Sequence, residues 1–193
     1  MAEPTTRFRL IPQNTLTTAI DTEAKRLAAI AGQSVVSTGV GNEVDFGTVD
    51  ISGGAANSDV KTVLWDVTAN GGNTTVEDFR LSNNEVGFGE IDSKMRFRAL
   101  SGVDNGSPSD TQNYAADAAV GTYTFADMAT STPGAQNVYP TDEGASMDIS
   151  GGASDDVLMW AMHAAIAAGE TTGTYKGTDV GYELQFSLRY SYS

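Results

Sequence analysis

A single histidine, His163, is the first candidate for a general base or a metal ligand, and it lies inside the apolar run 156–168. A lone histidine in such a run is more typical of a core or an interface than of a catalytic site. The sequence has no cysteine, which excludes thiolate catalysis and disfavours transition-metal sites. No G-x-S-x-G context accompanies a candidate nucleophile. We therefore predict no enzyme activity and no cofactor.

Acidic pairs are the next candidates for chemistry. Asp142-Glu143, Asp155-Asp156 and the Asp104-Asn105-Gly106 segment could offer oxygen ligands to calcium, but none has the spacing of an EF-hand loop. We expect these acids to be solvent-exposed residues of turns. The glycine pairs at 53–54, 71–72 and 151–152 are not phosphate loops, because no Lys-Ser/Thr and helix follow them. Hairpin turns and bulges account for them better.

Two tryptophans, Trp65 and Trp160, have two interpretations. As core anchors, both rings would be buried. As an exposed pair, they would stack on sugar rings and make the protein a carbohydrate-binding module. The sequence alone leaves both interpretations open, and the exposure of the rings separates them.

The composition favours strands over helices and argues against polyanionic partners. The 193 residues include 21 glycines and only 19% charged residues, a composition that suits strands joined by many turns. The formal net charge of −14 disfavours direct binding of nucleic acid or of anionic membranes, and it favours solubility. No apolar segment is long enough for a membrane span. The N-terminus lacks the pattern of a signal peptide, so we expect synthesis in the cytoplasm.

The first twelve residues predict an N-terminal arm. Charged and apolar side chains alternate along Arg7, Phe8, Arg9, Leu10 and Ile11, and Pro12 ends the run. This run is either an ordinary first strand or an arm that pairs with a neighbouring subunit. We assign these five residues as a candidate assembly interface. The remainder, 13–193, is predicted to be one domain.

Strand patterns dominate after residue 34, and only 18–31 has helical spacing. The predicted strands include 42–51, 61–68, 74–81, 93–100 and 181–192, and loops are expected at 102–111 and 128–144. About ten strand-like runs with turns between them predict an all-β, antiparallel β-sandwich of jelly-roll or immunoglobulin-like type, with at most one short helix.

An internal repeat settles the ambiguous run 156–168, which could be a buried helix or a buried strand. Asp-Ile-Ser-Gly-Gly-Ala occurs at 50–55 and again at 148–153, an offset of 98 residues (148 − 50). Each copy precedes an apolar run that contains a tryptophan and ends at a glycine turn. We interpret 50–72 and 148–169 as a pseudo-repeat, which makes the second apolar run a strand.

Turn sequences carry a resemblance to known structural proteins. The stretches 44–49 (VDFGTV) and 65–74 (WDVTANGGNT) resemble the strands and turns of immunoglobulin-like sandwiches in extracellular and virion proteins. The stretch 166–177 (IAAGETTGTYKG) is similar to a hairpin that precedes the last strand in pilus, spore-coat-like and phage structural subunits. Secreted pilins usually carry a signal peptide and often cysteines. This sequence shows neither, which favours a virion protein.

The resemblance implies a function without catalysis. We expect a structural subunit of a virus particle, such as a phage capsid decoration or a minor head or tail protein. Its expected partners are copies of itself, with a trimer as one form, and a major capsid or tail protein. The alternatives are an extracellular filament or pilus-like subunit assembled by strand addition, located at the cell surface, and a carbohydrate-binding module.

Overall fold

The computed structural model describes residues 1–11, 34–36, 44–85, 93–99, 124–140, 144–154, 156–173 and 184–193. These residues form strands and no helix, which confirms the all-β prediction. The predicted helix 18–31 and the predicted loop 102–111 lie outside the described residues. The strands are β1 (Thr5–Ile11), β2 (Ser34–Val36), β3 (Ala56–Asn57), β4 (Lys61–Ala69), β5 (Thr75–Glu85), β6 (Lys94–Ala99), β7 (Ala126–Asp127), β8 (Ser146–Asp148), β9 (Leu158–Ile166) and β10 (Leu184–Tyr192).

Two antiparallel sheets pack against each other as a β-sandwich. The large sheet has the order β2-β1-β4-β9-β6-β7, and β3 also pairs with β9. The small sheet has the order β10-β5-β8. Side chains of both sheets meet in one apolar cluster, in which Trp65 contacts Phe79 edge-on at 5.7 Å and Trp160 contacts Phe186 at 6.1 Å. Each large side chain buried there contributes about 1.5–3 kcal/mol.

The central strands β4 and β9 are buried on both faces. Every residue of 62–67 and of 158–164 is buried. This explains why both runs read as continuous apolar segments without the alternation of a half-buried strand. The run 156–168 does contain a strand, as the repeat predicts.

One predicted strand, 42–51, is wrong in its described part. Residues 44–50 carry no strand. Gly47 has a φ of 73°, and its N–H donates to the Asp45 carboxylate at 2.7 Å. This local turn prevents residues 44–50 from pairing with a neighbouring strand, although Val44 and Phe46 still pack against the core.

The two copies of Asp-Ile-Ser-Gly-Gly-Ala form the same turn. Asp50 accepts the N–H of Ser52 at 2.9 Å, and Asp148 accepts the N–H of Ser150 at 2.7 Å. These backbone bonds lower the pKa of both carboxyls. The second glycine of each copy then donates to the isoleucine carbonyl at 3.0 Å. Both glycines have a positive φ, 123° at Gly54 and 104° at Gly152, which explains the residue type.

A serine that follows each turn forms hydrogen bonds with a central strand of the large sheet: Ser58 with β9 and Ser154 with β4. Ser58 donates its N–H to the Ala164 carbonyl, and its hydroxyl accepts the Ala164 N–H, both at 2.8 Å. Ser154 makes the same two contacts with Val67, at 3.0 and 3.1 Å. The two halves are therefore joined reciprocally across the β4–β9 pair.

The correspondence of the halves extends to the flanking strands. Asp66 of β4 corresponds to His163 of β9, 97 residues later (163 − 66), and Val67 corresponds to Ala164 by the same difference. Arg7 of β1 pairs with Asp66, and Arg96 of β6 pairs with His163. Each half thus consists of an outer strand, a turn, an inner strand and a strand of the small sheet: β1–β4–β5 and β6–β9–β10.

Both described ends of the chain are bound to the turn between β4 and β5. Ala2 donates its N–H to Gly71, and its carbonyl accepts the Asn73 side chain at 2.7 Å. Ser193 exchanges two backbone hydrogen bonds with Thr75, each 3.1 Å. Gly71 has a φ of 62°, and a Cβ built there would lie 2.4 Å from the Ala2 carbonyl oxygen. Only glycine lets the first residues approach this turn.

We predict that Gly71→Ala lowers the free energy of unfolding by about 2–4 kcal/mol, since it combines a left-handed φ with a backbone clash. Gly72→Ala is the matched control: φ is 86°, but a Cβ meets nothing within 4 Å. Its expected loss is about 1–2 kcal/mol. Urea titration measures both. The added Cβ would also lie 3.0 Å from the Glu3 carbonyl oxygen. Removing residues 1–3 should therefore make the two losses equal, and a persistent difference would contradict the proposed clash.

Candidate functional site

The five residues predicted as an assembly arm form an interior strand of the large sheet. Phe8 pairs with Trp65 of β4 on one side and with Val36 of β2 on the other. The first residues therefore follow the ordinary-strand interpretation, and the backbone of β1 is occupied within its own chain. Whether Arg7–Ile11 contribute to an assembly interface stays a prediction, since no neighbouring subunit is described.

The inward side chains of β1 belong to the core. Phe8 and Leu10 are partly buried against the apolar cluster. The Phe8 ring contacts Trp160 edge-on at 6.2 Å and Phe186 at 5.6 Å, so it bridges the two sheets. These contacts hold β1 in the sandwich. The alternate side chains of β1 lie on the outer face of the large sheet.

A partly buried ion pair occupies the outer face of the large sheet in the first half. Arg7 donates from Nε and Nη2 to the two carboxylate oxygens of Asp66, both at 2.7 Å. The Asp66 side chain is only 5% exposed. The bond to this carboxylate raises the pKa of Arg7. The pair is bidentate, which supplies the hydrogen bonds that a buried carboxylate requires.

The second half places a histidine where the first half has this aspartate. His163 replaces Asp66, so Arg96 has no carboxylate on β9 and bonds instead to Asp127 of β7 at 2.9 Å. Lys94 donates to the same carboxylate at 3.0 Å. The bond to Lys94, followed by that to Arg96, lowers the pKa of Asp127.

His163 is fully buried, with 0% exposure. Neither ring nitrogen has a hydrogen-bond partner in the described part of the chain, and the ring packs edge-on against Phe125 at 4.7 Å. Burial lowers the pKa of His163; an interaction with the Ala164 backbone partly opposes this effect, and the charge of Arg96 adds to the lowering. The core position predicted from sequence is therefore correct. The lowered pKa disfavours a proton on the ring.

A shallow groove of about 320 Å³ lies beside Arg96. It is lined by Lys94 and Arg96 of β6, by residues 55–57 and by residues 165–167. Two cations share one carboxylate there, so the groove offers positive charge in an acidic protein. No sequence pattern predicts this groove, because it depends on the pairing of β3 and β6 with the same strand, β9.

The other chemical candidates have structural roles. Trp65 and Trp160 are both 0% exposed, as the core-anchor interpretation predicted, so neither ring is available to stack on a sugar. Among the described residues, no three acidic or histidine side chains come together as a metal site. The same part of the chain contains no helix that is long and apolar enough to span a bilayer.

On the side of β5 that faces β8, the residues beyond the short β5–β8 pairing are covered by a loop segment. Asn83 donates its N–H to the Ala129 carbonyl at 2.9 Å. The Asn137 side chain accepts the Leu81 N–H at 2.7 Å and donates to the Leu81 carbonyl at 2.9 Å. Asn137 also donates its own N–H to Phe79 at 3.1 Å. The segment 129–137 therefore closes this side of β5 against further strands.

The opposite edge of the small sheet, formed by β10, is different. In an antiparallel pair, successive residues of a strand direct their backbone N–H and C=O alternately toward and away from the neighbouring strand. Ser193 exchanges both bonds with Thr75, so every second residue of β10, counted from Tyr192, directs its N–H and C=O away from β5. These are Phe186, Leu188, Tyr190 and Tyr192. No hydrogen bond to these backbone groups occurs within the part of the chain that the structure describes. We call this side of 186–192 the open edge. The alternation along 181–192 predicts this strand but not its position at the edge of the sheet.

No protein-family model matches this sequence, and no curated protein matches it. The geometry therefore provides the basis for a functional proposal, together with the resemblance in turn sequences.

We predict that His163→Leu changes how stability depends on pH. In the folded protein the pKa lies below 6.5, so only the unfolded chain takes up a proton as the pH falls below about 6.5. The stabilisation by neutral His163 is therefore complete above that pH and is lost below it, by at most about 1.4 kcal/mol per pH unit.

Urea titrations of both proteins between pH 5 and pH 8 measure this difference. Asp127, which accepts hydrogen bonds from Lys94 and Arg96, stays ionised in this range because those bonds lower its pKa. Above pH 7 the variant should be as stable as the original or more stable, since two unpaired buried nitrogens are removed. Parallel curves across the whole range would contradict a depressed pKa.

Proposed function

We propose that the protein is a structural subunit of a virus particle, most specifically a phage capsid decoration or minor head or tail protein. Its role is mechanical: a rigid sandwich docks onto a lattice and onto copies of itself. The observation that carries the proposal is the fixation of both described chain ends on one turn, together with a small sheet that keeps an open edge. Such a body resists deformation and still offers one place for a partner strand.

The charge distribution is compatible with this role. A net charge of −14 keeps free subunits apart and soluble before assembly. Docking to a major capsid or tail protein would then rely on local surfaces, such as the groove beside Lys94 and Arg96. The turn sequences that resemble those of phage and pilus subunits support the same class of function.

Labelling of particles tests the proposal directly. Antibodies raised against the purified protein are applied to virus particles purified from lysates of the producing host. We expect regular label on the particles by electron microscopy and co-sedimentation of the protein with them. Protein found only in the soluble fraction, with unlabelled particles, would contradict a virion role.

The filament alternative requires that β1 completes the sheet of a neighbouring subunit, and a cysteine pair tests this. Thr5 and Ala69 are cross-strand partners and are both exposed. The natural chain has no cysteine, so Thr5→Cys combined with Ala69→Cys gives one defined bridge. We expect an intramolecular disulfide and a monomeric band on a non-reducing gel. Ladders of cross-linked chains would favour strand exchange, and each single variant serves as a control.

A further inference from the structure

The open edge of β10 coincides with the incompletely covered side of the core. On β5, the inward side chains of Phe79 and Leu81 are 0% exposed. The inward side chains of β10 that lie beside them, Phe186, Leu188 and Tyr190, are only partly buried. At the end of the same strand, Tyr192 is 41% exposed. The described sandwich therefore lacks cover where its small sheet lacks a neighbouring strand.

We propose that the open edge binds a second copy of this chain by antiparallel pairing of β10 with β10. The result is a two-fold symmetric dimer in which the small sheets join into one sheet of six strands, β8-β5-β10-β10-β5-β8. This names the self-interaction within the proposed structural role and rests on it. The same contact would cover the partly exposed apolar side chains of β10.

The register of this pairing follows from the strand itself. A two-fold axis perpendicular to the sheet keeps inward side chains opposite inward ones, so each residue pairs with a residue of equal parity. Centring the axis on Leu188, the midpoint of 184–192, uses the full length of the strand. Phe186 then lies opposite Tyr190 of the second copy, and Ser187 lies opposite Arg189 of the second copy. Aromatic pairs face each other, and like charges do not.

The absence of acidic residues on β10 favours a second copy of this chain as the partner of the open edge. Residues 184–193 contain no Asp or Glu, although the chain carries 25 of them. Two copies can therefore meet at this strand without opposing acids. Arg189 lies opposite Arg80 on β5, but Arg80 is bonded to Asp78 at 2.8 Å and is thereby neutralised. Asp78 sits with a φ of 60° where β5 carries an extra residue, which directs its carboxylate to Arg80.

The experiment alters the charge at Ser187, which is exposed and makes no contact with the core. Ser187→Lys opposes Arg189 of the second copy twice per dimer, and Ser187→Glu attracts it twice. We expect the dissociation constant of the dimer to rise about tenfold for Ser187→Lys and to fall several-fold for Ser187→Glu. Light scattering over a concentration series, on full-length protein, measures it.

A charge exchange tests the register. Ser187→Lys combined with Arg189→Glu places opposite charges across the interface again, and we expect it to restore the dimer. Raising the salt concentration should tighten the wild-type dimer, since the two subunits repel each other overall, and should reduce the differences between the variants. Urea titration of each variant confirms that the fold is unchanged.

Three results would overturn the inference: a wild-type mass that stays at 20.2 kDa at every concentration, equal dissociation constants for Ser187→Lys and Ser187→Glu, or no rescue by the exchange. If the protein is monomeric in solution and the antibodies against it nonetheless label virus particles, the dimer is refuted and the structural role stands. A dimer with the expected charge dependence and no label on particles would refute the virion role and leave the dimer.

Discussion

The antiparallel pairing of β4 with β9 is the interaction on which the rest of the structure depends. These strands meet at Val63 and Trp160, and both are buried on both faces. Because neither face is available to water, a polar group on these strands is costly unless it has a partner in the chain. The ring nitrogens of Trp65, Trp160 and His163 have none among the described residues. The reciprocal serine contacts, the Arg7–Asp66 ion pair and the outer strands β1 and β6 all provide such partners.

The two halves of the chain repeat the same pattern of contacts, and the positions at which they differ are informative. Where the first half buries Asp66 with Arg7, the second half buries neutral His163 and sends Arg96 to an exposed carboxylate. The small sheet departs in the same way, since one of its two related strands is covered by Asn137 and the other keeps an open edge. The halves thus share a framework and differ in the surfaces that a partner would meet.

These differences connect the fold to assembly. An acidic subunit avoids non-specific association through its net charge, and specific contacts then require places where acids are absent. The open edge is one such place, because β10 combines aromatic side chains with a single arginine. Strand pairing supplies many backbone hydrogen bonds at once, so a short strand is sufficient for a defined geometry.

Sequence patterns alone determined the all-β class, most strands and the strand character of 158–166, because period-two alternation, turn residues and a repeated hexapeptide are local signals. They also placed His163 correctly in a buried run, whereas they left open whether Trp65 and Trp160 are buried, which the structure decides. Only the tertiary structure decided that β1 lies inside the large sheet, that Arg7 meets Asp66 59 residues away, and that β10 forms an edge. Strand order and edge position depend on pairings between distant segments, and alternation along a single strand is the same whether its neighbours are present or absent.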